Sequence, residues 1–148
     1  MRFAQAVVAF LLLPGTVGFL VPLLLRPPTP IRTFHPIGLV PLTIGAIILL
    51  ACVRAFYVEG RGTLAPWAPP TRLVTSGLYR FSRNPMYVGV SLILLGWAMA
   101  YQARGLLIYA LVVIAAFHLR IVWFEEPWLG RTHVAGWPAY RAGVRRWL

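Results

Sequence analysis

Two short polar clusters interrupt an otherwise apolar chain: Arg83-Asn84-Pro85-Met86-Tyr87-Val88-Gly89 and, some forty residues on, Glu125-Glu126. Arginine offers a fork of donors to carboxylates and phosphates, glutamate accepts from cations, and asparagine and tyrosine supply neutral hydrogen bonds. The pair is therefore equipped to hold charged groups of both signs. Two of the three acidic residues, with Glu59 the third, stand side by side at the end of an apolar run. Read as a helix C-terminus, that end opposes carboxylates through the macrodipole, at about a few tenths of a kcal/mol each. The plain alternative is that the glutamates only pair with the arginines around them, but charges at a membrane boundary are often functional. His118 lies seven residues before Glu125 and so shares its helical face. A histidine in such a place is more often an interhelical hydrogen-bond partner than a catalyst. Arg120 is expected to point elsewhere and snorkel to the interface.

The elements that must position these residues follow from hydropathy. The chain has 148 residues, 59% hydrophobic and 11% charged, with mean hydropathy +0.75. Soluble domains carry about 25% charged residues, so lipid is the expected solvent. Four apolar stretches stand out, at residues 3–25, 36–57, 85–101 and 105–124. About 20 apolar residues cross a bilayer, so the third is short. The first is expected to be a retained span rather than a cleaved signal, because its apolar run is long and no A-x-A site follows it before Arg26. Pro14 and Pro22 should bend it, with neighbouring helices satisfying the freed carbonyls. The fold expected is all-α: a single membrane domain over residues 1–148, an integral helical bundle of about four transmembrane helices.

Asn84-Pro85 reads as a helix start, an N-cap followed by proline at the first helical position. The connection Gln102-Ala103-Arg104-Gly105 is so tight that the third and fourth stretches must be antiparallel neighbours. This C-terminal hairpin brings Arg80, Arg83, Asn84 and Tyr87 to the mouth where the glutamates lie. Before it, Arg26–His35 reads as a stiff, proline-rich loop, and the Pro-, Trp- and Arg-containing connection from Glu59 to Asn84 as a segment along the interface. After Pro127, a tail over residues 125–148 alternates aromatics with arginine, as an interfacial segment would. With four spans, nine arginines (Arg2, Arg61, Arg72, Arg80, Arg83, Arg131, Arg141, Arg145, Arg146) face three (Arg26, Arg32, Arg104), so both termini are expected to be cytoplasmic.

Other chemistries find little support. The net charge is +11, but the arginines lie between apolar runs, where the positive-inside rule accounts for them without nucleic acid. A lone Cys52 excludes an internal disulfide and a thiolate metal site, and His35, His118 and His133 are too scattered for zinc-ligand spacing.

The paired clusters resemble a known signature. Arg83-Asn84-Pro85-Met86-Tyr87-Val88-Gly89, a hydrophobic stretch and Glu125-Glu126 are similar to the RHPxYxG–hydrophobic–EE pattern of the isoprenylcysteine carboxyl methyltransferase and phospholipid methyltransferase families. Gly77-Leu78-Tyr79-Arg80 before it, and Leu129, Trp137, Tyr140 and Val144-Arg145-Arg146-Trp147 after it, agree with the flanks, so the likeness spans residues 60–148. It implies an integral membrane enzyme moving a methyl group from S-adenosyl-L-methionine to a hydrophobic or lipid-like acceptor. By position it makes Arg83, Asn84, Pro85, Tyr87, Gly89, His118, Glu125 and Glu126 cofactor-binding residues, with Tyr140 and Arg145 as catalytic candidates in the tail, Arg145 orienting an anionic acceptor. A glutamate for the cofactor's ammonium, an arginine for its carboxylate and aromatic faces near its sulfonium meet the needs of that ligand. Three departures stand out: Asn84 replaces the usual His and cannot titrate near neutrality, His133-Val134 replaces a common Phe-Gly pair, and the four expected spans are fewer than the carboxyl methyltransferases often have. Gly89 is expected to let a neighbouring backbone or the ligand approach closely. No glycine-rich Rossmann turn is present. The rival readings are an NADPH-dependent reductase of the sterol-reductase type and a non-catalytic membrane scaffold.

Overall fold

A computed structural model describes residues 8, 11–27, 34–60 and 71–148, and all regular elements among them are helical. The first, α1, is a wide π-type stretch, Leu11–Leu20, that tightens into an α-helical end, Val21–Leu25. Then come α2 (Pro36–Val58), α3 (Pro85–Tyr101), α4 (Arg104–Thr132) and the short α5 (Trp137–Gly143). Residues 28–33 and 61–70, on which the readings of a stiff loop and an interfacial segment rest, lie outside the described residues, as does the start of the first apolar stretch.

Among the described residues, α2 and α4 are long and apolar enough to cross a bilayer, while α3 and the described part of α1 are apolar but shorter. Only 22% of the most apolar window of α2 and 17% of that of α4 is buried in the chain. A helix in a soluble core would be mostly buried, so these faces are built for an apolar surrounding.

The central element is α3, which packs on α1, α2 and α4. Its Val90, Ile93 and Leu94 form a core with Leu49 of α2 and Ala110 of α4. Between α3 and α4 lie only Gln102, which closes α3 in a left-handed conformation (φ 47°), and Ala103, so the two helices fold back on each other as the short connection requires. Between α2 and α3 the backbones nearly touch along glycines spaced seven apart on each helix. A Cβ on Gly45 would stand 2.4 Å from the Gly89 carbonyl oxygen, and one on Gly96 would stand 2.7 Å from the Leu42 nitrogen. Gly89 thus serves the approach of a neighbouring backbone.

Pro22 has no N–H, so the carbonyls one turn back lose their donor. The Trp97 indole N–H donates to the Gly18 oxygen at 3.0 Å and the Tyr109 hydroxyl to the Val17 oxygen at 3.1 Å. The proline-containing helix is therefore bound to α3 and α4 by side-chain donors, as its sequence requires.

The fourth apolar stretch does not end at Phe124 as expected. Helix α4 runs through both glutamates and Pro127 to Thr132. Proline in an α-helix clashes with the carbonyl four residues back. Here Ile121–Glu125 widens into a π-turn, in which the Glu126 N–H donates to the Ile121 oxygen five residues back. The glutamates consequently lie inside a helix, and the macrodipole penalty expected of a C-terminus does not arise.

Gly96→Ala is expected to lower the melting temperature of the detergent-solubilised chain strongly, because the added carbon meets backbone that cannot step aside; overpacking costs about 1–3 kcal/mol. Gly105→Ala, with open space around it, should leave the melting curve in place.

Candidate functional site

The two adjacent glutamates are held in different ways. Both oxygens of Glu126 are taken by Arg146, whose Nε donates to Oε1 at 2.8 Å and Nη2 to Oε2 at 2.9 Å. Arg83 adds Nη1 at 3.0 Å from Oε1, and both the Glu126 and the Arg83 side chains are only 9% exposed. Glu125, 30% exposed, accepts from the Tyr87 hydroxyl and from Arg120 Nε, the latter at 2.9 Å. Arg120 Nε also lies 3.3 Å from the Tyr87 oxygen, closing a three-membered cluster.

The π-turn explains that cluster. In a regular α-helix, residues five apart differ by about 140° in direction once whole turns are removed. A turn closed by an i→i+5 bond brings them back to one face, and Arg120 reaches Glu125. Arg120 therefore belongs to the site instead of snorkelling away from it, and Pro127 is the sequence signal that could have found it. The same change of register separates His118 from Glu125. His118 is exposed and stacks on Trp147 of the tail, ring centroids 6.1 Å apart.

The start of α3 is fastened to the end of the chain. Asn84 precedes the helix as expected but makes no capping bond; its Nδ2 donates to the Arg146 carbonyl at 3.0 Å. Buried Ser82 donates to the same oxygen at 3.3 Å, and the Arg83 N–H donates to the Arg145 carbonyl at 2.9 Å. Pro85 is buried at the first helical position, and Gly89 is given over to packing on α2. Arg80 is exposed and outside these contacts.

In the tail, Arg146 rather than Arg145 reaches Glu126. Extended backbone at Val144 (φ −124°, ψ 133°) sends successive side chains to opposite sides. Arg145 contributes its carbonyl, and its side chain is exposed. The Tyr140 hydroxyl donates to the Tyr79 carbonyl at 2.7 Å, and burial pushes its pKa up to about 12. It remains a protonated structural donor. Trp137 is buried beneath Arg83, whose guanidinium carbon lies 5.7 Å from the ring centroid.

Arg83 is left with donors to spare. Its Nη1 is at ion-pair distance from Glu126 but is not aligned for a hydrogen bond, and neither it nor buried Nε has a hydrogen-bond partner among the described residues. Burial pushes the Arg83 guanidinium below its ordinary value, and the Glu126 carboxylate works against that shift. Buried unsatisfied donors cost about 1–3 kcal/mol each.

Arg146→Ala should free the tail: loss of a bidentate charge-assisted pair, about 1.5–3 kcal/mol, corresponds to about 10–100-fold faster amide exchange in residues 144–148 and at Arg83 by hydrogen–deuterium exchange. Arg145→Ala should leave exchange there nearly unchanged, because only its backbone is engaged.

Comparison with the curated proteins and with the solved structures gives no match. The family model described as phospholipid methyltransferase matches residues 35–134, about two thirds of the chain, from the start of α2 through α4. That match takes in the Arg83–Gly89 segment and both glutamates, and it stops short of Tyr140, Arg145 and Arg146. With α2 and α4 able to cross a bilayer, the chain is a membrane protein of methyltransferase lineage: it belongs to the phospholipid methyltransferase family.

Proposed function

We propose that the chain transfers a methyl group from S-adenosyl-L-methionine to a hydrophobic, lipid-like acceptor, of the isoprenylcysteine carboxylate or phospholipid amine type, that reaches the site from the bilayer. The observation that carries this reading is Arg83, buried beside the glutamate pair of a methyltransferase family member, with Nε and Nη1 making no hydrogen bond among the described residues and Nη1 ion-paired to Glu126. Those nitrogens suit the cofactor's carboxylate, and the partly open Glu125 suits its ammonium. Glu126 keeps Arg83 and Arg146 in place, so its effect on the cofactor runs through them. Tyr87 orients Glu125 by donating to it, and Trp137 and Trp147 supply aromatic faces on the tail side. Bound there, the cofactor would supply an electrophilic methyl on its sulfonium, held between Arg83 and Glu125. What the chain contributes is positioning, which accounts for a large part of the acceleration of such reactions. Arg145, exposed next to the clasp, is available to steer an anionic acceptor.

The same proposal places four apolar helices across the bilayer, the shorter α1 and α3 beside α2 and α4, with the site and both termini on the cytoplasmic side. The excess of arginine in the segments before α1, between α2 and α3, and after α4 supports that orientation.

The test is calorimetry on the detergent-solubilised chain with S-adenosylhomocysteine. Wild type should bind, and Arg83→Gln and Glu126→Gln should each weaken binding by about 1–3 kcal/mol, the range for a lost charge-assisted bond. Thermal stabilisation by NADPH with no response to S-adenosylhomocysteine would instead establish the reductase reading.

A further inference from the structure

The glutamate pair is flanked by two arginines in opposite surroundings. The Arg83 side chain is 9% exposed, roofed by the tail and Trp137. The Arg120 side chain is 57% exposed, and its neighbours Leu119, Trp123 and Phe124 are exposed apolar side chains on a helix long enough to span a bilayer. An anion arriving through water and one arriving through lipid would therefore meet different guanidiniums.

Arg120 is also oriented. A snorkelling arginine extends its head toward water, free of the site. Here Nε is bonded inward to both Glu125 and the Tyr87 hydroxyl, and the guanidinium is planar. Fixing Nε fixes the direction of the two terminal nitrogens, which have no partner among the described residues. A charge at an apolar border is costly, and Glu125 offsets only part of it because a guanidinium carries five donors. The outer edge remains a preformed fork of the kind that binds carboxylate and phosphate in a bidentate manner.

We infer that Arg120 holds the anionic group of the membrane-borne acceptor and so acts as a specificity-determining residue, at an open fork on the lipid side of Glu125. The inference rests on the methyltransferase reading only for calling the ligand an acceptor; the fork itself stands on geometry. It divides the labour between the two arginines, the buried one facing the soluble cofactor and the open one facing the lipid. The shared ligand chemistry is an oxyanion on an alkyl or prenyl chain, whether a phosphate ester or a carboxylate.

The experiment uses the full chain in detergent and native mass spectrometry titrations with dodecyl phosphate, N-acetyl-S-farnesylcysteine and neutral dodecanol. Arg120→Gln should weaken at least one anionic probe about tenfold or more, as for loss of a charge-assisted fork, and leave dodecanol unaffected. Arg120→Lys should recover part of the loss. S-adenosylhomocysteine affinity by calorimetry should fall less in Arg120→Gln than anionic-probe affinity does, since that ligand's carboxylate is assigned to Arg83 and Glu125 keeps its bond from Tyr87. Loss confined to the phosphate points to a phospholipid acceptor, and loss confined to the carboxylate to a prenylcysteine-type one. Anionic probes that bind Arg120→Gln as tightly as wild type, or a neutral probe that weakens equally, would overturn the inference. Arg120-dependent anion binding in a chain that ignores S-adenosylhomocysteine would sink the methyltransferase reading and leave the fork standing.

Discussion

Glu126 is a carboxylate almost removed from water, and a charge in that position costs several kcal/mol unless its lone pairs are filled. Arg146 fills two of them from the end of the chain, and Arg83 stands against the same group from the start of α3. One ion cluster thereby joins three segments that are distant in sequence. The neutral bonds around it depend on that junction: Asn84 and Ser82 reach the Arg146 carbonyl, and the Arg83 N–H reaches that of Arg145, only if the tail lies where Glu126 holds it. A buried ion pair is weak evidence for stability, since well-packed apolar groups can often replace it. Here it fixes geometry, because the two guanidiniums that serve Glu126 come from the start of α3 and from the tail and so hold both against α4.

Pro127 makes adjacent glutamates diverge in their contacts. Its missing N–H and its ring force the preceding turn to widen, and the π-turn at Ile121–Glu125 rotates everything before it relative to everything after. Arg120 comes into register with Glu125, and Glu126 is left facing the tail. Without that insertion, Arg120 would point away from Glu125, on the helical rule that is sound for α-helices. π-turns recur at functional sites for this reason: they change which residues share a face at the cost of a local hydrogen-bond shift.

The sequence carried much of the fold and part of the site. Hydropathy located the apolar helices, the short connection at Gln102-Ala103 required α3 and α4 to fold back on each other, and Pro22 announced carbonyls that Trp97 and Tyr109 now satisfy. The pairing of Arg83 and Tyr87 with the glutamates was legible because the hairpin makes it nearly local. What was missed depends on register. Regular α-helical spacing put His118 with Glu125 and sent Arg120 elsewhere; one π-turn reversed both. Neighbouring Arg145 and Arg146 are indistinguishable by type, and only the extended backbone at Val144 selects which of them faces inward. Asn84 resembled an N-cap by position, yet its side chain found a stronger demand in a tail carbonyl that no local pattern reveals.

Asn84 also bears on what chemistry the site can carry. Its amide is occupied in holding the tail, a task it performs at any pH because it does not titrate. Tyr140 is likewise committed, donating to the Tyr79 carbonyl. The groups at the open side are Glu125, with Tyr87 and Arg120 already bonded to it, so a carboxylate at that place is better set to receive a cation than to search for a proton. A methyl transfer asks for little more. A sulfonium that gives up its methyl leaves as a neutral thioether and needs no proton, and an acceptor that arrives anionic needs no base. An acceptor amine has to be delivered neutral, and Glu125, 30% exposed beside Arg120, is the more open of the two glutamates. Charge of fixed sign, set in depth by one clasped and one open glutamate, is thus the resource this chain offers, and proton traffic falls to whichever acceptor it receives.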